Sequence, residues 1–454
     1  MPRAFAIGSI VATIRPMTHF PKKERLIFIE DSLNPEDNAM LQALYSRSSE
    51  SALEHLKKVK EKGSGKFMAS FYVGYGHGSI GDCGTTTIFI ENVSILAAKA
   101  IQDWRLYSGQ ETSTRYIDMA KQPIIDPLKT PASEAILKKW MDFYIGSQER
   151  LKTHLRQTYA RQEGEDEKVY ERTVNARSFD ILRAFLPAGI ATQLSWHTNL
   201  RQAADKLALL RYHPLPEIKE MTELILEKLR EKYPSSFSHK EYEAQEAYRK
   251  DIIANYSYYL NTATKDFSFS TNIKPESLAP YQNSISSRPI NTNLPSFLDE
   301  LGGCTCDYLL DFGSARDAQR HRNGVFRMPL LTTHFGFHPW YLKQLPDDVR
   351  TEAEALIKEQ SSSIALLQTS DEIRQYYISL GFLVSCHTYY SLPEMVYVTE
   401  LRSDTTVHAT YREIAHHMHH ALREHFPSVQ LYTNLEESSW DIRRGNQDIK
   451  KITV

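Results

Sequence analysis

The chain has 454 residues, which is enough for more than one buried core. Its 54 Lys and Arg residues nearly balance 56 Asp and Glu residues, and 41% of the residues are hydrophobic. This composition is that of an ordinary globular protein and disfavours an electrostatic binder of nucleic acid or membranes. Four cysteines are too few for a disulfide framework, and no apolar run reaches the roughly 20 residues that a membrane span needs. We therefore expect a cytoplasmic protein with no nucleic-acid or membrane partner.

The sequence of the first half predicts a helix, then a strand, then a second helix. Asn34 and Pro35 form a good N-cap and first-turn pair. Residues 85–91 (TTTIFIE) are β-branched and aromatic and predict a strand. From Val93 the apolar residues recur at helical spacing until a polar loop, SGQETSTRY, at 108–116.

The second half repeats this order. Residues 308–312 (YLLDF) predict a strand, and a helix is expected to begin at 313–314 and to lead into the triplet RHR at 320–322. Both halves then continue through a charged helical region to a Leu-Arg pair, at 210–211 and at 401–402. We infer two diverged copies of one α+β unit.

A linker is predicted between the two copies. Residues 266–296 mix Pro, Ser and Asn without helical or alternating periodicity. The predicted organisation is a first copy at 1–265, this linker, and a second copy at 297–454. The charged stretch 161–170 is interpreted as a solvated connection between helices.

The loop after the first helix carries three side chains that could share one ligand. Glu111, Ser113 and Arg115 alternate along the chain, so in an extended loop they lie on one side. A guanidinium forks well onto phosphate or a planar carbonyl pair. The alternative is a polar loop that caps the helix and contains an internal Glu–Arg pair.

The triplet Arg320, His321 and Arg322 offers cationic or titratable groups at a helix end. Such a cluster suits an anionic cofactor, and Arg316 lies one turn earlier on the same face. The alternative is a helix end stabilised by its dipole, because helix C-termini favour cations.

In combination and order, these residues resemble the flavin-dependent thymidylate synthases. The family signature runs Arg-His-Arg, two residues, Ser, one residue, Asn-Glu, one residue, Ser, one residue, Arg-Tyr. The first copy has Asp103 and Trp104 in place of the leading Arg-His. It matches the signature afterwards at Arg105, Ser108, Glu111, Ser113, Arg115 and Tyr116. The second copy keeps the full Arg-His-Arg and lacks the rest, so each copy retains what the other has lost.

Three further segments carry the resemblance. They are GHGS at 76–79, the stretch from Arg183 to Arg211, and ELRSDTTVH at 400–408. The resemblance implies that Arg402 is catalytic and polarises the uracil ring. It implies substrate contacts from Glu111, Ser113, Arg115, Arg183 and Arg211, and cofactor contacts from His77, Arg105, Ser108, Asn199, Arg201, Arg320, His321, Arg322 and His408.

The resemblance also implies a fold, ligands and an assembly. The fold is α+β of the thymidylate synthase-complementing type, with a curved, mainly antiparallel sheet flanked by helices in each copy. The ligands are dUMP, FAD, and NADPH and methylenetetrahydrofolate as co-substrates, for reductive methylation of dUMP to dTMP. Because the family forms homotetramers with shared active sites, two fused chains are expected to form a homodimer that acts as a pseudo-tetramer. The alternatives are a relative that acts on another pyrimidine nucleotide and a catalytically degenerate nucleotide-binding homologue.

No metal site is predicted. His416 and His420 have the i, i+4 spacing of metal ligands, but no H-E-x-x-H order is present, so interface or surface histidines are favoured. Cys386 precedes His387 in a strand-like segment, where neighbours point to opposite faces, so a buried structural cysteine is expected.

Overall fold

The structure, a computed structural model, describes residues 32–48, 50–74, 78–115 and 117–436. The chain divides into residues 1–34 and a compact unit of residues 35–454. All of the described helices and strands belong to the second of these units. None of the described helices is both long and apolar enough to cross a membrane.

The first half is mainly helical around one antiparallel pair of strands. Its strands are β1 (Thr85–Ser94) and β2 (Ala191–Asn199). Its helices are α1 (Pro35–Tyr45), α2 (Ala52–Lys62), α3 (Gly65–Phe67), α4 (Gly78–Gly81), α5 (Ile95–Gln102), α6 (Pro131–Thr158), α7 (Glu167–Leu182), α8 (Leu200–Leu210), α9 (Pro216–Lys232) and α10 (Glu243–Tyr256), with a π-helix at Met68–Gly74 and a 3-10 helix at Arg183–Phe185. The predicted helix start at Pro35 and the predicted strand at Thr85 are confirmed.

The second half contains a four-stranded antiparallel sheet in the order β3-β4-β6-β5. The strands are β3 (Phe267–Thr271), β4 (Gly303–Asp311), β5 (Val325–Arg327) and β6 (Leu383–Ser391). The helices are α11 (Gln282–Ser286), α12 (Phe312–Ala318), α13 (Pro339–Lys343), α14 (Asp347–Ala365), α15 (Asp371–Arg374), α16 (Leu392–Arg402) and α17 (Ala409–His425), with 3-10 helices at Pro275–Tyr281, Ser296–Leu301 and Gln375–Tyr377. The predicted α+β class with antiparallel sheets flanked by helices is confirmed.

Each half contains the same strand–helix units with matching lengths. Strands β2 and β6 both have nine residues, and the helices that follow them, α8 and α16, both have eleven. Strands β1 and β4 each pass directly into a helix whose N-cap is the last strand residue. The Ser94 side chain accepts from the Ala97 amide, and the Asp311 side chain accepts from the Ser314 amide.

Helices α5 and α12 end earlier than the apolar spacing predicts. In each case a cation from another helix binds a carbonyl near the helix end. Lys206 Nζ donates to the Asp103 carbonyl at 2.8 Å, and Arg402 Nη2 donates to the Asp317 carbonyl at 3.2 Å. Each of these carbonyl oxygens would accept a hydrogen bond from a backbone amide if the helix continued, but here it accepts from the side chain of another helix.

The two halves meet about a local two-fold axis at an isolated antiparallel bridge between Pro187 and Ser379. The hydrogen bonds around it are reciprocal, as in an isologous dimer interface. They are Ala188 N to Ile378 O (2.9 Å), Leu380 N to Leu186 O (2.9 Å), Gly189 N to Tyr376 O (2.9 Å) and Gly381 N to Ala184 O (2.8 Å). The two halves are therefore joined within one chain as two copies of a symmetric dimer would be.

The predicted linker contains regular structure, so the expectation of an irregular segment is wrong. Residues 267–271 form strand β3, which pairs along β4. The sequence FSFST does alternate, and its two aromatic rings pack on α17, Phe267 against His417 and Phe269 against His425. Where the boundary between the copies falls remains a prediction.

The close approach at the local axis requires glycine. A Cβ added at Gly189 would lie 2.7 Å from the Ile125 carbonyl oxygen and 3.0 Å from the Tyr376 carbonyl oxygen. Because both atoms are backbone, we expect Gly189→Ala to lower the free energy of unfolding by about 1 to 3 kcal/mol, measured by urea denaturation. Gly146→Ala is the control, since that exposed glycine inside α6 has open space around its Cβ. It should raise stability by about 0.5 to 1 kcal/mol, and equal effects of the two variants would contradict the packing argument.

Candidate functional site

A cavity of about 870 Å³ lies where the two halves meet. The first half contributes the loop around Glu111 to Arg115, and the second half contributes the end of α12, the end of α16 and the loop before α17. Of the predicted site residues, the cavity brings together Glu111, Ser113, Arg115, Arg320, Arg402 and His408. Its volume is within the usual range for sites that bind small molecules.

Arg402, the last residue of α16, is held in this cavity by neutral groups. Its Nε donates to His321 Nε2 at 2.7 Å, and its guanidinium lies 5.3 Å from the centre of the Tyr411 ring. Among the described residues, no carboxylate lies within salt-bridge distance of this guanidinium. The guanidinium therefore makes no ion pair with a described carboxylate, although it lies close enough to Asp317 to lower the pKa of that residue.

The three residues of the Arg-His-Arg triplet point to different surroundings. Arg320 lies at the cavity, its side chain 57% exposed, with its Nε 3.3 Å from Asp317 Oδ1. His321 is buried beneath Arg402. Arg322 turns away and packs over the Tyr107 ring at 4.7 Å. The triplet does not form one cationic cluster for one ligand.

Arg115 is oriented by a buried carboxylate from α7. Its Nε and Nη2 donate to the two oxygens of Asp180 at 2.8 and 3.0 Å, which fixes the plane of the guanidinium.

Arg183, a predicted substrate ligand, lies behind the pair of Arg115 and Asp180. Its side chain is only 2% exposed, and its Nη2 donates to Ser314 Oγ at 3.0 Å. His408 Nε2 lies 3.9 Å from Asp180, and its Nδ1 accepts from the Thr410 amide at the start of α17.

Glu111 is fully engaged with protein cations. Its Oε2 lies 2.8 Å from Lys99 Nζ, and its Oε1 lies 2.7 Å from Arg316 Nη2. Burial alone would raise its pKa, but Arg316 and Lys99 lower the pKa of Glu111 to about 2. Glu111 thus borders the cavity, but its main role is to hold its loop against Lys99 and Arg316.

Four arginines place the Asp317 carboxylate at this cavity in a positive local field. Burial alone would raise the pKa of Asp317, but the surrounding arginines, 320, 402, 183 and 115, hold it well below its usual range. A field of this sign favours an anionic ligand such as a phosphate.

Within the described part of the chain, the other predicted site residues do not line this cavity. Asn199 accepts from the Gln202 amide as the N-cap of α8, and Arg201 forks onto Asp82 at 2.7 to 2.8 Å. Arg211 pairs with Glu223 and Glu241. Arg105 and Ser108 lie on the exposed loop after α5. His77 lies outside the described residues, as does Tyr116.

The place related to the cavity by the local axis is closed. Ser94 pairs with the first residue of β2, and Asp311 pairs with the first residue of β6, so Ser94 and Asp311 are equivalent in the two copies. The same number of residues after each of them, Asp103 corresponds to Arg320 and Trp104 corresponds to His321. Leu210 ends α8 where Arg402 ends α16. The space there is about 170 Å³, and Tyr258 packs into it against His213. The two copies therefore differ most at their equivalent sites.

Several residues at the cavity could not be identified from the sequence. Asp180, Asp317, Glu400 and Tyr411 lie in ordinary helical stretches. Asp180 accepts from Arg115, the Asp317 carbonyl accepts from Arg402, Glu400 accepts from the Tyr432 amide, and the Tyr411 ring packs against Arg402. These partners are far away in the chain. Lys99 and Arg316 occupy equivalent positions in the two strand–helix units, and both bind Glu111. This equivalence is the sequence feature that could have indicated their shared partner.

The described residues include no group of three His, Cys, Asp or Glu side chains that could hold a metal ion. His416 Nε2 lies 3.0 Å from the Asn434 carbonyl oxygen. Cys386 is fully buried, as expected for a structural cysteine, and burial raises the pKa of its thiol well above the usual value.

Two buried histidines should make the protein sensitive to acid. Burial lowers the pKa of both His213 and His321 to about 3, from 6.5 in an exposed side chain. The unfolded chain then binds more protons between about pH 3 and 6.5, so the free energy of unfolding is highest above pH 6.5 and falls as the pH drops toward 3.

We expect His213→Asn to flatten this pH dependence by up to about 1.4 kcal/mol per pH unit. The measurement is urea denaturation at several pH values between 7.5 and 5. Identical slopes for the variant and the natural chain would show that His213 is not buried in its neutral form.

The chain is similar to several known proteins. The model of the family described as "Thymidylate synthase complementing protein" matches residues 28–235. The chain is also 26% identical to a UPF0159 protein of Chlamydia pneumoniae, over 83% of this chain and 82% of the relative. A UPF0159 protein of Chlamydia muridarum is 24% identical with the same coverage. One from Thermoplasma acidophilum is 22% identical over 91% of this chain and 98% of its own length. Residues 28–235 are therefore similar to the thymidylate synthase complementing protein family.

Proposed function

We propose that the chain is a thymidylate synthase-type enzyme that binds dUMP, or a related pyrimidine nucleotide, in the cavity between its two copies. The observation that carries this proposal is the convergence of Arg115 from the first copy with Arg320 and Arg402 from the second. The overall reaction would be the reductive methylation of dUMP to dTMP, with FAD as cofactor and with NADPH and methylenetetrahydrofolate as co-substrates.

The side chains in the cavity suit the two ends of a nucleotide. The Arg115 fork, held flat by Asp180, and the Ser113 hydroxyl suit a phosphate. Arg402 makes no ion pair with a described carboxylate, and its guanidinium suits a uracil oxygen that becomes negative when the ring is attacked. The described lining of the cavity contains no cysteine, so the proposed chemistry uses electrostatic stabilisation and no thiolate.

The residues expected to bind FAD do not converge within one chain. Arg320 and His408 border the cavity, whereas Asn199 and Arg201 lie at the start of α8 and are already used by Gln202 and Asp82. In the related family the flavin lies at subunit junctions, so we propose that two chains pair to bring these groups together.

Two alternative functions remain proposals. A relative that acts on another pyrimidine nucleotide would use the same arginines with different contacts to the base. A degenerate nucleotide-binding protein would bind the nucleotide without turnover. The closed counterpart site indicates that this fold tolerates loss of a site, but the Arg402 guanidinium, which makes no ion pair with a described carboxylate, favours an active enzyme.

Arg115→Ala should weaken nucleotide binding by roughly 30-fold to 1000-fold, because a buried charged contact is worth about 2 to 4 kcal/mol. Binding is measured by calorimetric titration with dUMP, and turnover by release of tritium from the C5 position of the ring in the presence of FAD, NADPH and methylenetetrahydrofolate. Arg211→Ala is the matched control, because that side chain pairs with Glu223 and Glu241 away from the cavity. Equal loss of affinity in both variants would place the nucleotide elsewhere.

A further inference from the structure

We infer that His321 is a positioning residue that holds Arg402 through a neutral imidazole and does not serve as a cationic cofactor ligand. This inference rests on the proposed nucleotide site, because it assigns His321 a role through the residue that faces the base. It differs from the expectation that all three members of the Arg-His-Arg triplet act as ligands.

The hydrogen bond to Arg402 fixes the protonation state of the ring. Arg402 Nε is always a donor, and it lies 2.7 Å from His321 Nε2. Nε2 must then carry a lone pair, so the neutral imidazole has its proton on Nδ1. The histidine is almost completely buried, which excludes water as a competing partner for Nε2.

The surroundings of the ring favour the same form. The Nδ1 side faces Glu394, whose Oε1 lies 4.0 Å away and whose Oε2 accepts from Asn323. A carboxylate on that side favours the proton on Nδ1. Arg402, Arg320 and Arg322 all surround the ring, and Asp317 and Glu394 oppose them. A protonated ring would add a further positive charge to this group. Burial, together with the charge of Arg402, accordingly lowers the pKa of His321 to about 3.

The chain itself offers a comparison for this pair. At the equivalent place in the first copy, both members of the pair are replaced, His321 by Trp104 and Arg402 by Leu210. The Trp104 indole instead donates to Gln202 at 2.8 Å. Histidine and arginine are thus present together at the open cavity and absent together at the closed one, as expected of two residues that function as a pair.

The structural test uses the full-length chain labelled with ¹⁵N-histidine. His321→Gln identifies the His321 signals by their loss. We expect His321 to show an unprotonated Nε2 and a protonated Nδ1 at pH 7 and still at pH 5. A cationic ring at pH 5, or a proton on Nε2, would overturn the inference. This readout does not depend on nucleotide binding or turnover.

The functional test compares His321→Leu, which removes the acceptor, with His321→Gln, which offers a neutral one. His321→Leu should lower kcat for tritium release by about 10-fold to 100-fold while dUMP affinity changes much less, and His321→Gln should restore most of the rate. The control is His387→Gln, whose ring pairs with Asp307 on the sheet and does not line the cavity. Full turnover in His321→Leu would overturn the inference. If the natural chain neither bound dUMP nor released tritium, the proposed function would fail, and the ¹⁵N signals would still decide the hydrogen bond.

Discussion

The buried Glu111 carboxylate is the contact on which the cavity depends. Lys99 from α5 and Arg316 from α12 bind its two oxygens, and these cations occupy equivalent positions in the two copies. Burying charges is expensive, and removing one partner of such a group typically costs about 3 to 5 kcal/mol. The loop that carries Ser113 and Arg115 is therefore tied to the second copy, and with it the position of every first-copy side chain in the cavity.

The local two-fold axis explains how one carboxylate can meet both copies. The reciprocal bonds around Pro187 and Ser379 bring equivalent elements face to face, and α5 and α12 lie where their corresponding side chains can reach the same point. Symmetry alone would give two identical cavities. The replacement of arginine by Leu210 and the packing of Tyr258 have closed one of them, so the open one is built from what each copy has kept.

Local sequence patterns predicted the elements and part of the site. The strand at Thr85 and the alternation of Glu111, Ser113 and Arg115 are short-range features, and the structure places the latter three at one cavity with Arg402. Partners far apart in the chain could not be predicted in the same way. His321 and Arg402 are separated by 81 positions, and Arg115 and Asp180 by 65.

Some predicted ligands proved to have local structural roles that the motif does not reveal. Asn199 matches a ligand position of the family, but here its side chain caps α8. Arg211 matches another such position, but two nearby carboxylates hold it away from the cavity. In the predicted linker, only five residues alternate, which is too short a run to stand out among the surrounding Pro, Ser and Asn residues.

We propose that one composite cavity per chain binds the nucleotide. The most direct test is the stoichiometry of dUMP binding to the full-length chain, measured by calorimetric titration at known protein concentration. We expect one molecule of dUMP per chain, because the equivalent place in the first copy lacks its arginine and leaves only about 170 Å³ beside Tyr258. Two molecules per chain would show that both copies bind nucleotide and would contradict the composite site.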